Sequence, residues 1–478
     1  MKTRSPVVVA GLVAAALVLT SGQYGYHRDE LYFRFLGQHP AWGYVDQPPG
    51  TPMIARAAVW LFGDTLWGLR LPSALAVAAV AMLLALIARE VGAGAVGQSL
   101  AAVGAAGTGV LVVGHVLTTV AFDAVVWLAV LLFAARALLR ADPRWWVGVG
   151  VTAGVGMWNK LLVVLLILAL LAALAVAGPR EALRSRWLWI GFGIGAVIAL
   201  PNAIYQVVND FPQLSMAAAL AENKGDEARA LLVPFQIVAI GLPLFPVLAA
   251  GVVCLLRRPQ LRPIRAFAVA YLLLLPVLFV MAAQPYYAAG LALACYAVGA
   301  AVTENWARSV LRRVLLVAAV VVNVLLAAAF ALPVFPLAVQ ETIGLAEMNQ
   351  VSRDQIGWPE YTRQVAEIAA TVPGAAVITS NYGEHGALHR YGPELGMDTG
   401  LIFSGQNELH RIARPADGTE VVVLVGVQAP SMFDSCRVEG RLDSGWDIEN
   451  EEQGVLISVC RGPVKPWTEL WPAFQHYD

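Results

Sequence analysis

Arginine returns in every second gap between the apolar runs of this chain, and that alternation limits its fold more than any other feature. Runs approaching or exceeding the roughly 17–25 residues needed to cross a bilayer stand near 6–22, 67–88, 97–115, 119–139, 145–158, 160–177, 187–207, 231–256, 266–283, 287–303 and 314–332. With the N-terminus inside, the cytoplasmic gaps collect Arg89; Arg136, Arg140 and Arg144; Arg180, Arg184 and Arg186; Arg257, Arg258, Arg262 and Arg265; and Arg308, Arg312 and Arg313. The intervening gaps hold few Lys or Arg for their length, as the positive-inside rule requires. The fifth and sixth runs nearly merge at Trp158-Asn159-Lys160. Together they are too long for one crossing, so a helical hairpin is expected there. The sequence thus predicts a polytopic α-helical membrane protein of about eleven transmembrane helices, with the N-terminus in and the C-terminus out.

Composition agrees. Charged residues make up 14% of the chain and mean hydropathy is +0.66, whereas a soluble domain carries roughly 25% charged residues. The net charge of −1 gives no reason to expect a nucleic-acid partner; the placement of charge matters more than its sum. Pro6 to Gly22, behind Lys2 and Arg4, also has the ingredients of a cleavable signal peptide, though it lacks an A-x-A end. Either way, the residues that follow lie outside.

Three polar stretches fall on that outer side: a first loop over 23–66, a second over about 206–230, and the tail. The chain therefore divides into a transmembrane domain, 1–332, and an extracytoplasmic domain, 333–478. The tail reads as a small α/β domain. Pro359 to Val372 has helical periodicity with proline in the first turn. Ala375 to Ser380, Glu420 to Val427 and Gly454 to Cys460 are β-branched runs of strand length. Cys254 and Cys295 sit in apolar runs and read as inert core residues. Cys436 and Cys460 sit in the tail, and an outer location makes them a disulfide candidate.

Polar residues that could carry chemistry gather at the outer ends of the runs. The first loop holds Arg28, Asp29 and Glu30, then Asp46 ahead of Gln47-Pro48-Pro49. Its carboxylates equally fit a solvated interface, and its tyrosines and tryptophan an aromatic belt. Asp123 lies about a turn inside the fourth run, where an ionisable group is costly and points to function. His115, Lys160, Tyr286 and Tyr287 lie at the same level; singly they read as a hydrogen-bonded histidine, a snorkelling lysine and interfacial tyrosines. No P-loop, dinucleotide-binding glycine fingerprint, zinc-type spacing or G-x-S-x-G elbow is present, and no metal ligand set is expected.

In RDELYF, WGYVDQPPG, TTVAFDAVVW, GMWNK and QPYY the chain resembles bacterial membrane glycosyltransferases of the C-type fold, related to dolichyl-phosphate-mannose protein mannosyltransferases. The lipid A aminoarabinose transferases are more distant relatives. The resemblance covers roughly 23–300, and the tail motifs SNYGEHGALHRYG and DIENEEQG resemble those of actinobacterial members. It implies transfer of a sugar from a polyprenyl-phosphate donor to a protein, lipid or glycan acceptor of the cell envelope, at the outer face of the cytoplasmic membrane. No cofactor is required, because the lipid phosphate is already a leaving group; a divalent ion stays open. Asp29 matches the acidic residue regarded as general base, Glu30 is its usual neighbour, and Asp46 fills the second acidic position. Arg28, Asp123, Lys160, Tyr286, Tyr287 and His115 then fall to the donor's phosphate and sugar. The aminoarabinose enzymes carry Glu-Lys where this chain has Asp46-Gln47, so a phosphate-binding lysine is missing there; Arg28 or Lys160 could replace it. A secondary transporter is the rival class, but transporters place their charges near the bilayer midplane and would leave the long first loop unexplained.

Overall fold

The computed structural model describes residues 4–478; Lys2, of the basic N-terminal pair, lies outside the described residues. Each apolar run is helical. The chain begins with α1 (Arg4–Thr20), places α2 (Arg28–Leu36) and α3 (Gly50–Phe62) in the first loop, and continues through α4 (Leu66–Glu90), α5 (Ala95–Val103), α6 (Thr108–His115) and α7 (Thr119–Leu139). The expected hairpin is α8 (Trp145–Gly156) and α9 (Leu162–Ala177). Then come α10 (Arg186–Val208), α11 (Pro212–Ile240), α12 (Phe245–Arg257), α13 (Ala266–Val280), α14 (Ala289–Trp306) and α15 (Val310–Ala331).

Among the described residues five helices are long and apolar enough to cross a membrane: α4, α7, α10, α15, and α14 with the helical turn Pro285–Ala288. The number rises to seven if the bent pairs α5–α6 and α11–α12 each count once. Helices α1, α8, α9 and α13 are apolar but shorter. Length alone therefore supports five to seven crossings, against about eleven from the runs.

Two departures from the sequence reading have local causes. The run 231–256 is not one straight helix, because α11 and α12 meet at 103°. Gly241 takes φ +98° at the joint, a conformation that costs glycine little, and Pro243 follows. The Asn323 amide of α15 donates to the freed Ile240 carbonyl at 3.1 Å, so the break leaves no orphaned acceptor there. Second, the stretch 206–230 is largely helix, since α11 starts at Pro212.

Helices α8 and α10 approach closely enough that glycine is required on both. A Cβ at Gly150 would fall on the Gly191 backbone, and one at Gly191 on Trp146. Small residues spaced four apart allow such contact between helices in lipid. Beside this crossing, α8, α9 and α10 line an apolar groove of about 640 Å³, from Trp146 and Leu174 at one end to Met157, Val163 and Ala203 at the other.

The tail opens with three short helices, α16 (Leu337–Ile343), α17 (Leu345–Met348) and α18 (Gln350–Arg353), followed by α19 (Trp358–Ala370). Its sheet uses β1 (Ala376–Thr379), β2 (Ile402–Ser404), β3 (Val421–Val425), β4 (Phe433–Arg441) and β5 (Leu456–Pro463) in the order β2-β1-β3-β5-β4. β1 is parallel to β2 and β3, whereas β5 is antiparallel to β3 and β4. Helix α20 (Tyr382–Tyr391) connects β1 to β2, and the short α21 (Leu409–Ile412) and α22 (Trp467–Leu470) complete the tail. The expected helix and three strands are present; β2 and β4 are additional. Cys436 and Cys460 pair across β4 and β5 as a disulfide.

Strand alternation sends the sheet's side chains to two cores. Ala376, Ile378, Val422 and Leu424 face Trp467, Trp471 and Phe474. Val377, Val423, Val425, Ile457 and Val459 join a core that continues into the first loop through Tyr26, Leu31, Tyr32, Phe33, Phe35 and Leu36. Residue 333 follows the last apolar helix, but the hydrophobic core does not divide there.

Candidate functional site

Helix α2 carries the first-loop acidic residues, and its start is fixed by a capping box. The His27 side chain accepts from the Asp29 amide at 3.1 Å, and Glu30 Oε2 accepts from the His27 amide at 2.8 Å. Glu30 then meets Arg70 of α4 in a fully buried bidentate pair, with Nε–Oε1 and Nη2–Oε2 both 2.9 Å. The Leu117 amide donates to Oε1 at 2.8 Å. Each Glu30 oxygen thus accepts two hydrogen bonds and has no capacity left for catalysis. Arg70 also donates to Ser21, Gly25 and Gln355, and its Nη1 lies 3.3 Å from Nε2 of buried His115. The structure therefore moves Glu30 and His115 out of the predicted site and into the framework that seats α2.

Arg28 also departs from expectation. It is buried, ion-paired to Glu451, 3.9 Å from Asp354, and stacked 4.9 Å from the Tyr382 ring centroid. Enclosed by tail residues, its guanidinium is not free for a donor phosphate.

Asp29 remains partly exposed, with 31% of its side chain accessible. Its Oδ1 accepts from the Tyr382 hydroxyl at 2.9 Å. Tyr382 stacks on Tyr32, with ring centroids 4.7 Å apart, and the Tyr32 hydroxyl donates to Asp46 Oδ1 at 3.1 Å. The two expected carboxylates are thus joined through two phenols. Glu408 holds the Asp46 segment from the other side, accepting from the Val45 amide at 2.8 Å.

The hairpin turn brings the second half of the site alongside. The Gly50 amide donates to the Trp158 carbonyl at 2.6 Å, and Thr51 Oγ1 to Asn159 Oδ1 at 2.7 Å. These bonds fasten the segment after Asp46 to the turn that presents Lys160. The Lys160 ammonium lies 5.0 Å from the Tyr286 ring centroid and 5.2 Å from that of Tyr287, close enough for cation–π attraction. It faces Asp123 of α7 but makes no ion pair within 4.0 Å among the described residues. Asp123 is buried, and its Oδ1 has no hydrogen-bond partner among them. Tyr286 in turn faces both Asp29 and Asp123. Asp29, Asp46, Asp123, Lys160, Tyr286 and Tyr287 are thus brought together, with Arg28 joined to Asp29 through the Tyr382 hydroxyl; Glu30 and His115 lie in the framework behind them.

Sequence reasoning missed Tyr382, Glu408, Asp354 and Glu451, all in the tail. A signal for Tyr382 existed: Asn381 and Glu384 form a capping box that starts α20, and the N-x-x-E pattern marks a helix start.

The Asp46 carboxyl is pushed up to about 7, chiefly by burial, with the negative charges of Glu408 and Asp29 adding to it and the Tyr32 hydroxyl opposing. A folded carboxyl titrating above its unfolded value of 3.8 binds its proton more tightly than the unfolded chain does. The stability it contributes is present near pH 4 and lost as pH rises towards about 7. The melting temperature in detergent should carry this decline, and Asp46→Asn should remove that component. Identical pH slopes for the two proteins would show that Asp46 does not titrate in this window.

Residues 46–205, a segment that includes Asp46, Asp123 and Lys160, match the family model described as dolichyl-phosphate-mannose-protein mannosyltransferase. No curated protein matches the chain. Among solved structures, the apo state of ArnT from Cupriavidus metallidurans is similar over 95% of this chain and 97% of that chain, at 14% identity and a TM-score of 0.61. The same protein bound to undecaprenyl phosphate gives a TM-score of 0.57 at 15% identity, with the same coverage of both chains. Arabinofuranosyltransferase AftD from Mycobacteria is similar over 97% of this chain and 40% of that chain, at 15% identity and a TM-score of 0.56. At such identities the likeness is one of fold, and it takes in the tail as well as the helices. The resemblance carried by the sequence motifs is thereby borne out: the chain has the C-type fold of polytopic membrane glycosyltransferases.

Proposed function

We propose that the chain moves a sugar from a polyprenyl-phosphate donor to an acceptor at the outer face of the cytoplasmic membrane, with Asp29 as general base. One observation carries this reading. Lys160, an ammonium with no carboxylate in salt-bridge contact among the described residues, lies over Tyr286, which also faces the partly exposed Asp29, and the chain on either side of it, at Met157 and Val163, lines the apolar groove. A phosphate head attached to a long apolar chain matches that pairing of cation and groove. Several kcal/mol can come from a fixed cation facing a departing phosphate.

The step balances without further reagents. The acceptor oxygen bonds to the anomeric carbon as the bond from that carbon to the phosphate oxygen breaks. The acceptor's proton passes to Asp29, and the polyprenyl phosphate leaves with the bonding electron pair beside Lys160. Positive charge developing on the sugar favours nearby carboxylates, a role this reading gives to Asp123 and, above the pH at which it ionises, to Asp46. The arginine alternation supports an outer location for the site. So does the Cys436–Cys460 disulfide, since disulfides persist in oxidising compartments.

The test is transfer of radiolabelled sugar, in membranes containing the protein, from a panel of polyprenyl-phosphate donors into envelope acceptors. Lys160→Gln should lower transfer by about 100-fold, with Lys160→Arg retaining part of the rate. Solute uptake into vesicles without transfer from any donor would assign the fold to transport instead.

A further inference from the structure

We infer that Tyr382, supplied by the tail, is the positioning residue that aims Asp29; the inference rests on the reading of Asp29 as the base. The Tyr382 oxygen lies 2.9 Å from Asp29 Oδ1 and 3.2 Å from Arg28 Nε. A guanidinium only donates, so Arg28 occupies a lone pair on the phenol oxygen. The single hydroxyl hydrogen is thereby directed to Asp29. Asp29 Oδ1 is engaged, while Oδ2 accepts no hydrogen bond among the described residues; the His27 ring, 4.0 Å away, is its nearest charged-type neighbour. Oδ2 is the oxygen left to receive the acceptor's proton.

The device is locked from the tail side. Arg28 is held by Glu451 and Asp354. The Tyr382 amide donates to Gln406 Oε1 at 2.7 Å, and the capping box of Asn381 and Glu384 fixes the first turn of α20. Burial pushes the Tyr382 hydroxyl well above its ordinary titration range, so it stays a donor. The ring acts elsewhere. Stacked on Tyr32, it supports the hydrogen bond from Tyr32 to Asp46. Hydroxyl and ring therefore bear on different carboxylates, and two substitutions separate them.

Tyr382→Phe keeps the ring and removes the bond to Asp29. It should lower kcat by about tenfold with little change in the donor KM. It should also move the acid limb of the kcat/KM pH profile upward, because a carboxylate deprived of a hydrogen bond is protonated more readily. Tyr382→Ala also releases Tyr32 and Asp46 and should cost about 100-fold. A merely structural tyrosine would reduce the folded yield and leave the pH limb in place. Wild-type kcat and an unmoved limb for Tyr382→Phe would overturn the inference while leaving the glycosyltransferase reading intact. If the wild-type protein transfers from no donor, that reading fails instead, and thermal unfolding decides the linkage: Asp29→Ala and Tyr382→Phe, each of which removes the bond between them, should shift the melting temperature non-additively, and additive shifts would overturn it.

Discussion

Replacing Asp29 by asparagine is expected to lower sugar transfer by roughly 10²–10⁴-fold, the usual contribution of a positioned general base. The amide cannot take up the acceptor's proton, but its oxygen can still accept from Tyr382, so α2 keeps its place. The melting temperature should accordingly stay close to wild type while the rate collapses. Initial rates in membranes with matched protein levels measure the first quantity, and unfolding in detergent the second. Full activity in Asp29→Asn would remove it as the base. Asp46→Asn provides the contrast, because Asp46 is neutral over much of the acid range and bonded to Tyr32. It should be the milder change.

The second large effect is on stability. Glu30→Ala strands the Arg70 guanidinium, which has no exposed surface, in the protein interior. Removing one partner of a buried ion pair costs about 3–5 kcal/mol, because the remaining charge is left uncompensated. The loss extends further here, since Glu30 also caps α2 and accepts from the Leu117 amide. Glu30→Ala should unfold at a much lower temperature in detergent and accumulate poorly in membranes. Replacing both partners with apolar residues, Glu30→Leu with Arg70→Met, should recover part of the loss, since it removes the orphaned charge. An unchanged melting temperature for Glu30→Ala would contradict the role given to the pair.

These predictions separate two neighbours that composition and spacing could not, although the resemblance singles out Asp29. Asp29 and Glu30 are adjacent carboxylates in one helical turn, and composition treats them alike. Successive residues on a helix point about 100° apart, so one faces the interior and Arg70 while the other faces the site. Nothing local shows which, because Arg70 lies 40 positions away. The same limit hid the confinement of Arg28, whose partners Tyr382 and Glu451 are 354 and 423 positions distant. Lys160 was easier to read. A cation at a turn between two apolar runs is conspicuous, but its closeness to QPPG was not legible, because Thr51 and Asn159 lie 108 positions apart. The helices were legible for a similar reason: apolar runs leave few alternatives in lipid. Their bends were not, because the break at Gly241 depends on Asn323 reaching it from another helix.

The core shared by the first loop and the tail also orders events during synthesis. Asp29 leaves the ribosome 353 residues ahead of Tyr382, which at roughly 5–20 residues per second is a delay of about 20–70 seconds. During that interval the apolar side chains of α2 have no sheet to cover them, and the base has no partner to aim it. A nascent chain with its membrane helices already inserted would thus hold an unfinished site. The tail acts as a latch on α2: on the reading of Asp29 as the base, the site is complete only once α20 and its sheet have been made and have docked.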